Sequence, residues 1–197
     1  MVTTLPRLLV LTDRRQARHP LVQTIERVVA GGARVIVLRE KDLEKTERDG
    51  LADRLWQVLA PVDGTLIAAS RPAGPARGVH LAAGDLPARA GIVGRSCHDA
   101  AEVRAAGAVD YVTVSPVFPT ASKPGYGPAL GLGGLRDLCR VTDVPVYALG
   151  GVAPANAAAC LDAGARGVAV MGEVMRADDP AATVASLLKQ IAKEVPA

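Results

Sequence analysis

The chain has 197 residues, 49% of them hydrophobic and 22% charged, with a formal net charge of +3. That length suits a single domain, residues 1–197, and the mixing of cations with acids argues against a dedicated nucleic-acid surface. No stretch approaches the about 20 apolar residues of a membrane span, and the first apolar run is too short for a signal-peptide core, so a cytoplasmic protein is expected.

The first apolar run, Leu8 to Thr12, reads as a strand. The basic cluster Arg14, Arg15, Arg18 and His19 follows it and reads as a solvated connection. A helix over 22–30 comes next, then Gly31-Gly32-Ala33, a strand over Val35 to Leu38, and a helix over 43–59. The third strand, Thr65 to Ala68, leads into "ASRPAGPARG" (69–78), where no helix of normal length fits. Strands over Val79 to Leu81 and Ile92 to Gly94, a helix over 100–106 and a strand over Tyr111 to Val114 come next. A long Pro- and Gly-containing loop, Ser115 to Pro128, separates these from a helix over 132–139. The last units are the strand Val146 to Leu149, a helix from Pro154 to Ala163, the strand Val168 to Met171, and a helix over 181–194 capped by Asp178-Asp179-Pro180.

The strand runs lack polar alternation, which points to a parallel sheet covered by helices. Ala106-Gly107-Ala108 and Ala163-Gly164-Ala165 repeat the helix stop seen at Gly31-Gly32-Ala33. Eight such units in about 200 residues predict an α/β fold, a small (β/α)8 TIM barrel with the helix after strand 3 truncated. An open doubly wound sheet would carry its glycine fingerprint after the first strand, where this chain has "LTDRR".

In such a barrel the C-terminal strand ends form the active face. Read in order they give Asp13, Arg39-Glu40-Lys41, Ser70-Arg71, Asp85, Ser96, Thr120 to Lys123, Gly150-Gly151 and Gly172-Glu173, a rim suited to a phosphorylated substrate. Gly150-Gly151 and Gly172 follow strands seven and eight, where these barrels usually hold phosphate on backbone N–H groups. Arg39 and Lys41, two apart on a strand, are expected on one side of it. Thr120, Ser122 and Lys123 offer donors for a diphosphate, on a loop long enough to close as a lid. Cys97, Cys139 and Cys160 read as small buried thiols. His19, His80 and His98 lack metal-ligand spacing, and Cys97 and His98, being adjacent, do not face one another as a nucleophile pair.

Six ordered segments resemble the thiamine phosphate synthase/TenI superfamily: "LREK" (38–41), "GVHLAAGDLP" (78–87), "GRSCH" (94–98), "DYVTVSPVFPTASKPG" (110–125), "YALGGV" (147–152) and "AGARGVAVMGEV" (163–174). The resemblance implies a Mg²⁺-dependent transferase of thiamine biosynthesis. It would join hydroxymethylpyrimidine diphosphate to thiazole phosphate and release pyrophosphate through a dissociative, carbocation-like step. Carried over onto this chain, it implies that Arg39, Lys41, Ser96, Thr120, Ser122 and Lys123 hold the diphosphate. Arg39, Lys41 and Lys123 are its catalytic cations, Asp85 ligates Mg²⁺, and Gly150, Gly151 and Gly172 hold the thiazole phosphate.

The chain departs from the synthase pattern at Val37, where the family has Gln, and at Ala69-Ser70, where it has Asn-Asp with the Asp a metal ligand. The TenI-type thiazole tautomerase, a metal-free isomerase, is an alternative reading, although its acid/base His falls at Pro116. A non-catalytic binder of thiazole or thiamine phosphate is another. The expected partners are small phosphorylated molecules, not nucleic acid or membrane, and a homo-oligomer is left open.

Overall fold

Branched and aromatic residues at alternating positions of short runs have two apolar faces to bury. A closed barrel ringed by helices buries both. The computed structural model, which describes residues 5–88, 91–120 and 128–192, has this form. Its strands are β1 (Leu8–Leu11), β2 (Val35–Leu38), β3 (Thr65–Ala69), β4 (Gly78–Leu81), β5 (Ile92–Cys97), β6 (Tyr111–Val114), β7 (Val146–Leu149) and β8 (Gly167–Val170). Each pairs in parallel with the next, and β8 closes on β1 with Leu9 opposite Ala169. The helices are α1 (Leu21–Ala30), α2 (Lys45–Leu59), α3 (Ala100–Arg104), α4 (Gly131–Arg140), α5 (Ala157–Asp162), α6 (Gly172–Met175) and α7 (Pro180–Ile191).

Outward residues such as Leu8, Val10, Ile36, Leu38, Val112 and Val168 pack under the helices in the main core. Inward residues form a second cluster that includes Leu9, Val37, Ile67, Tyr111, Tyr147 and Ala169. Large and small side chains alternate inside the barrel. Tyr111 lies in register with Gly94 and Tyr147 with Gly167. A Cβ on Gly94 would fall on the Tyr111 ring, and one on Gly167 would lie 2.7 Å from Tyr147 Cε1 and against the Arg7 carbonyl. The rings thus fill space that the glycines leave, and they meet edge to face at 5.6 Å.

The expected loop at 69–78 is present, with no helix between β3 and β4. The described part of the β4–β5 connection also lacks a helix. Outside these strands Val79, Leu81 and Val93 form a separate small cluster, with Ala88 and Val109 packed against it. Arg95, on the same side of β5, donates through Nη1 to the carbonyls of Ala82, Ala83 and Asp85 at 2.9–3.1 Å. A buried guanidinium thus ties down the loop that stands where a helix is missing.

Asp179 caps α7 as expected, accepting from Ala182 N. Gly32, Gly107 and Gly164 all take positive φ at helix stops. The helix expected from Pro154 instead starts at Ala157, because Asn156 turns back to accept the Ala153 N–H through Oδ1 and holds 153–156 in a turn. Among the described residues no helix is long and apolar enough to cross a membrane.

Gly167→Ala is expected to lower stability by about 1–3 kcal/mol by overpacking against Tyr147 and the Arg7 carbonyl. A reduced urea midpoint at unchanged slope would register this, and an unchanged midpoint would refute the packing account.

Candidate active site

At the C-terminal ends of the strands the barrel opens into a cavity of about 310 Å³. Leu11, Val37, Ala69, His80, Leu149 and Ala169, the last inward residues of their strands, line its lower part. Above them the polar groups converge: Arg39, Lys41, Ser96, Thr120, Gly150, Gly151 and Gly172 all line the wall. Ser122 and Lys123 lie outside the described residues.

Arg39 and Lys41 do share a side, but strand alternation is not the cause, because β2 ends at Leu38. The Lys41 N–H donates to the Arg39 carbonyl at 2.7 Å, closing a tight turn around Glu40. The Arg39 N–H is held by Thr12 Oγ1 at 2.9 Å. Glu40 leaves the cavity and is only 3% exposed, with its carboxylate 2.9 Å from Arg14. The two cations face the cavity while the intervening acid is neutralised behind them.

A similar turn follows β3. The Arg71 N–H donates to the Ala69 carbonyl at 2.8 Å around Ser70, whose φ is +62°. That φ is uncommon for a residue with a Cβ. Arg48 on α2, fully buried, links both turns: Nη2 donates to the Ala69 carbonyl at 2.7 Å and reaches Leu38 O at 3.5 Å, and Nη1 donates to Arg71 O at 3.0 Å. Nothing in the reading of the sequence singled out Arg48. An Arg on a helix that also carries Arg54 and several other charges gives no sign of burial.

Asp85 is not in the cavity wall, although it was the expected metal ligand. Its Oδ2 accepts the Ala82 N–H at 2.7 Å, and it takes a side-chain hydrogen bond from Ser70. Burial pushes its carboxyl up, but these donors and the charges of Lys41 and Arg95 outweigh burial, and the group is held below its ordinary value. Among the described residues no group of three or more metal-binding side chains occurs. A single carboxylate with two donors already on it fits a Mg²⁺ carried in on substrate phosphate, not a site built by protein alone.

His80 and His98, which lack metal-ligand spacing, both line the cavity. His80 Nε2 lies 2.9 Å from Ser96 Oγ, and Nδ1 lies 3.0 Å from the Tyr111 hydroxyl. Burial, with the charges of Lys41 and Arg95, pushes the imidazole down to about 4. His98 pairs with Glu102 at 2.8 Å, while the adjacent Cys97 packs into the core on the other face of the sheet. The period-2 pattern of β4 places His80 inward, and that signal was available in the sequence.

Gly150 and Gly151 have φ of +92° and +66°. They also pack closely on the loop after β6: a Cβ on Gly150 would lie 2.8 Å from Pro116 Cα, and one on Gly151 2.7 Å from Phe118 Cβ. Asn156 Nδ2 holds the Gly151 carbonyl at 3.0 Å. Gly172 is not a second left-handed turn. It opens the short helix α6, distinct from α7, and the cavity wall there also includes Glu173 and Arg176. Arg176 was not in the expected set.

The basic cluster after β1 is consumed in ion pairs. Arg14 and Arg15 both meet Asp42 at 2.7 Å, and Arg18 meets Asp178 at 2.6 Å. The three cysteines are free thiols pushed up to about 11 by burial, which makes them poor nucleophiles.

Residues 8–174 match the family model described as "Thiamine monophosphate synthase". A thiamine-phosphate synthase of Salinispora tropica is 37% identical over 210 residues, covering 96% of this chain and 99% of the relative. One from Roseiflexus castenholzii is 36% identical over 193 residues, covering 90% and 85%. Among solved structures, a thiamine phosphate pyrophosphorylase from Pyrococcus furiosus superposes with a TM-score of 0.84 at 31% identity, over 94% of this chain and 95% of that one.

The depressed His80 value makes a prediction about acid stability. The native state binds that proton less tightly than the unfolded chain, whose imidazole titrates near 6.5. The His80 contribution is therefore fully present above about pH 6.5 and is lost as pH falls toward 4, by about 3 kcal/mol in all. Urea unfolding of wild type and His80→Gln across pH 7 to 4 checks this, and the variant should show the shallower decline.

Proposed function

The chain belongs to the thiamine monophosphate synthase family, and from that membership we infer that it is a transferase of thiamine biosynthesis. It joins hydroxymethylpyrimidine diphosphate to thiazole phosphate and releases pyrophosphate. The observation that carries the assignment of roles is the turn at 39–41, which brings Arg39 and Lys41 into one cavity with Ser96 and Thr120 and sets Glu40 behind them.

In the reaction the bond between the pyrimidine methylene and the diphosphate oxygen breaks. The methylene carbon becomes cationic, and the thiazole nitrogen then bonds to it. Negative charge grows on the leaving diphosphate, so donors fixed around it favour the transition state over the ground state. Arg39 and Lys41 supply charge there, and Ser96 and Thr120 supply hydroxyl donors. Mg²⁺ bound to the diphosphate would neutralise part of the same charge, and Asp85, set back from the wall, would ligate it by giving up its hydrogen bonds from Ala82 and Ser70. The Gly150-Gly151 turn and the start of α6 cradle the thiazole phosphate, with Arg176 as a nearby cation. The apolar residues lower in the cavity, Leu11, Val37 and Leu149, give the rings a dry surface.

The tautomerase reading places its proton carrier at Pro116. That residue lines the cavity but has no group that exchanges protons.

With both substrates and Mg²⁺, the purified chain is expected to release pyrophosphate and form thiamine phosphate. Arg39→Ala and Lys41→Ala should each lower kcat by about 10²–10³-fold. Isomerisation of a thiazole carboxylate phosphate in metal-free buffer, or saturable phosphate-ester binding without turnover, would replace this reading.

The metal assignment has a separate check by calorimetry with inorganic pyrophosphate. Binding should tighten with Mg²⁺, and Asp85→Ala should lose about tenfold or more of that gain. Equal, metal-independent binding by both proteins would remove Asp85 and the metal from the mechanism.

A further inference from the structure

One chain of buried polar groups runs from the barrel interior to the cavity, and it has a direction. The Tyr111 hydroxyl is fully buried, and among the described residues its hydrogen-bond partner is His80 Nδ1, at 3.0 Å. A neutral imidazole has one N–H and one bare nitrogen. If Nδ1 carried the hydrogen, it would point at the phenol oxygen and the phenol proton would be left without an acceptor. A buried donor left unmade is costly, so the phenol donates and Nδ1 is bare. The imidazole hydrogen then sits on Nε2, 2.9 Å from Ser96 Oγ, with Thr113 Oγ1 at 3.5 Å. Ser96 accepts that hydrogen bond, and its own proton must turn elsewhere. Ser96 is half-buried and lines the cavity.

We propose that Tyr111 and His80 are positioning residues that fix the Ser96 hydroxyl as a one-way donor into the cavity, aimed at an anionic diphosphate oxygen. The inference deepens the transferase reading and rests on it for the identity of the anion. Its physical basis is pre-orientation. A serine hydroxyl rotates freely in water and donates or accepts at will, whereas one that accepts from His80 has its donor direction set before substrate arrives. The packing keeps the chain in place: His80 stacks on Tyr111 with ring centroids 5.5 Å apart, and Tyr111 fills the space left by Gly94 on the intervening strand.

The test uses the full chain and two readouts. Nitrogen-15 NMR of histidine-labelled protein, with His80→Gln to assign the signal, should show the Nε2–H tautomer in the wild type. Calorimetry with inorganic pyrophosphate should show about 3–10-fold weaker binding for Ser96→Ala and for Tyr111→Phe, which keeps the ring over Gly94. In the Ser96→Ala background, Tyr111→Phe should cost nothing further, an outcome that simple loss of packing would not give. Should Tyr111→Phe fail to fold, the wild-type tautomer and the Ser96→Ala affinity carry the test together. An Nδ1–H tautomer with intact pyrophosphate binding overturns the proposal alone, as do additive losses in the double variant. Wild-type protein that does not bind pyrophosphate overturns the proposal together with the transferase reading.

Discussion

The barrel must be filled on the inside, and two tyrosines facing two glycines are the largest side chains that fill it below the cavity. Tyr111 and Tyr147 are each nearly fully buried and stand in register with Gly94 and Gly167 on neighbouring strands. A ring fits only because its neighbour has no side chain. This complementarity closes the lower barrel and leaves the empty volume at the C-terminal strand ends. It also sets what lies at the boundary: His80, stacked on Tyr111, is the polar group where the packed interior meets the cavity.

Two buried arginines extend that order to the loops. Arg48 holds the turns that follow β2 and β3, and Arg95 holds the loop after β4. Both give their donors to backbone carbonyls, not to carboxylates. Carbonyls at strand ends are acceptors that have run out of partners, so one guanidinium satisfies several at once. The cations in the cavity wall thus sit on turns stiffened from behind; Glu40 between them is neutralised by Arg14, and Asp13 lies 3.8 Å from Arg39. Where the described residues after β3 and β4 form no helix, such side-chain ties replace helix packing.

Much of the site was legible because it repeats local rules. The cations of "LREK", the glycine pair after the seventh strand and Ser96 all reach the cavity. The reason given for Arg39 and Lys41 was wrong, since a turn and not strand alternation sets their common side. Gly172 opens the short helix α6 and does not repeat the positive-φ turn of Gly150-Gly151. Asp85 lies off the wall, because its carboxylate is drawn onto the Ala82 N–H and Ser70. Arg48, Asn156 and Arg176 gave no local sign, since each acts through a partner distant in sequence or across a turn.

By itself the sequence determined the eight strands, their order and the end of the barrel at which the cavity opens. Hydrophobic run length and helix stops are local properties, and a parallel barrel is the arrangement that buries both faces of every strand. Only the tertiary structure decided which polar groups share an environment. His80 became a neutral, buried link between Tyr111 and Ser96 because three strands place them within hydrogen-bond distance. Desolvation and contact depend on distance in space, and a one-dimensional pattern does not carry that information.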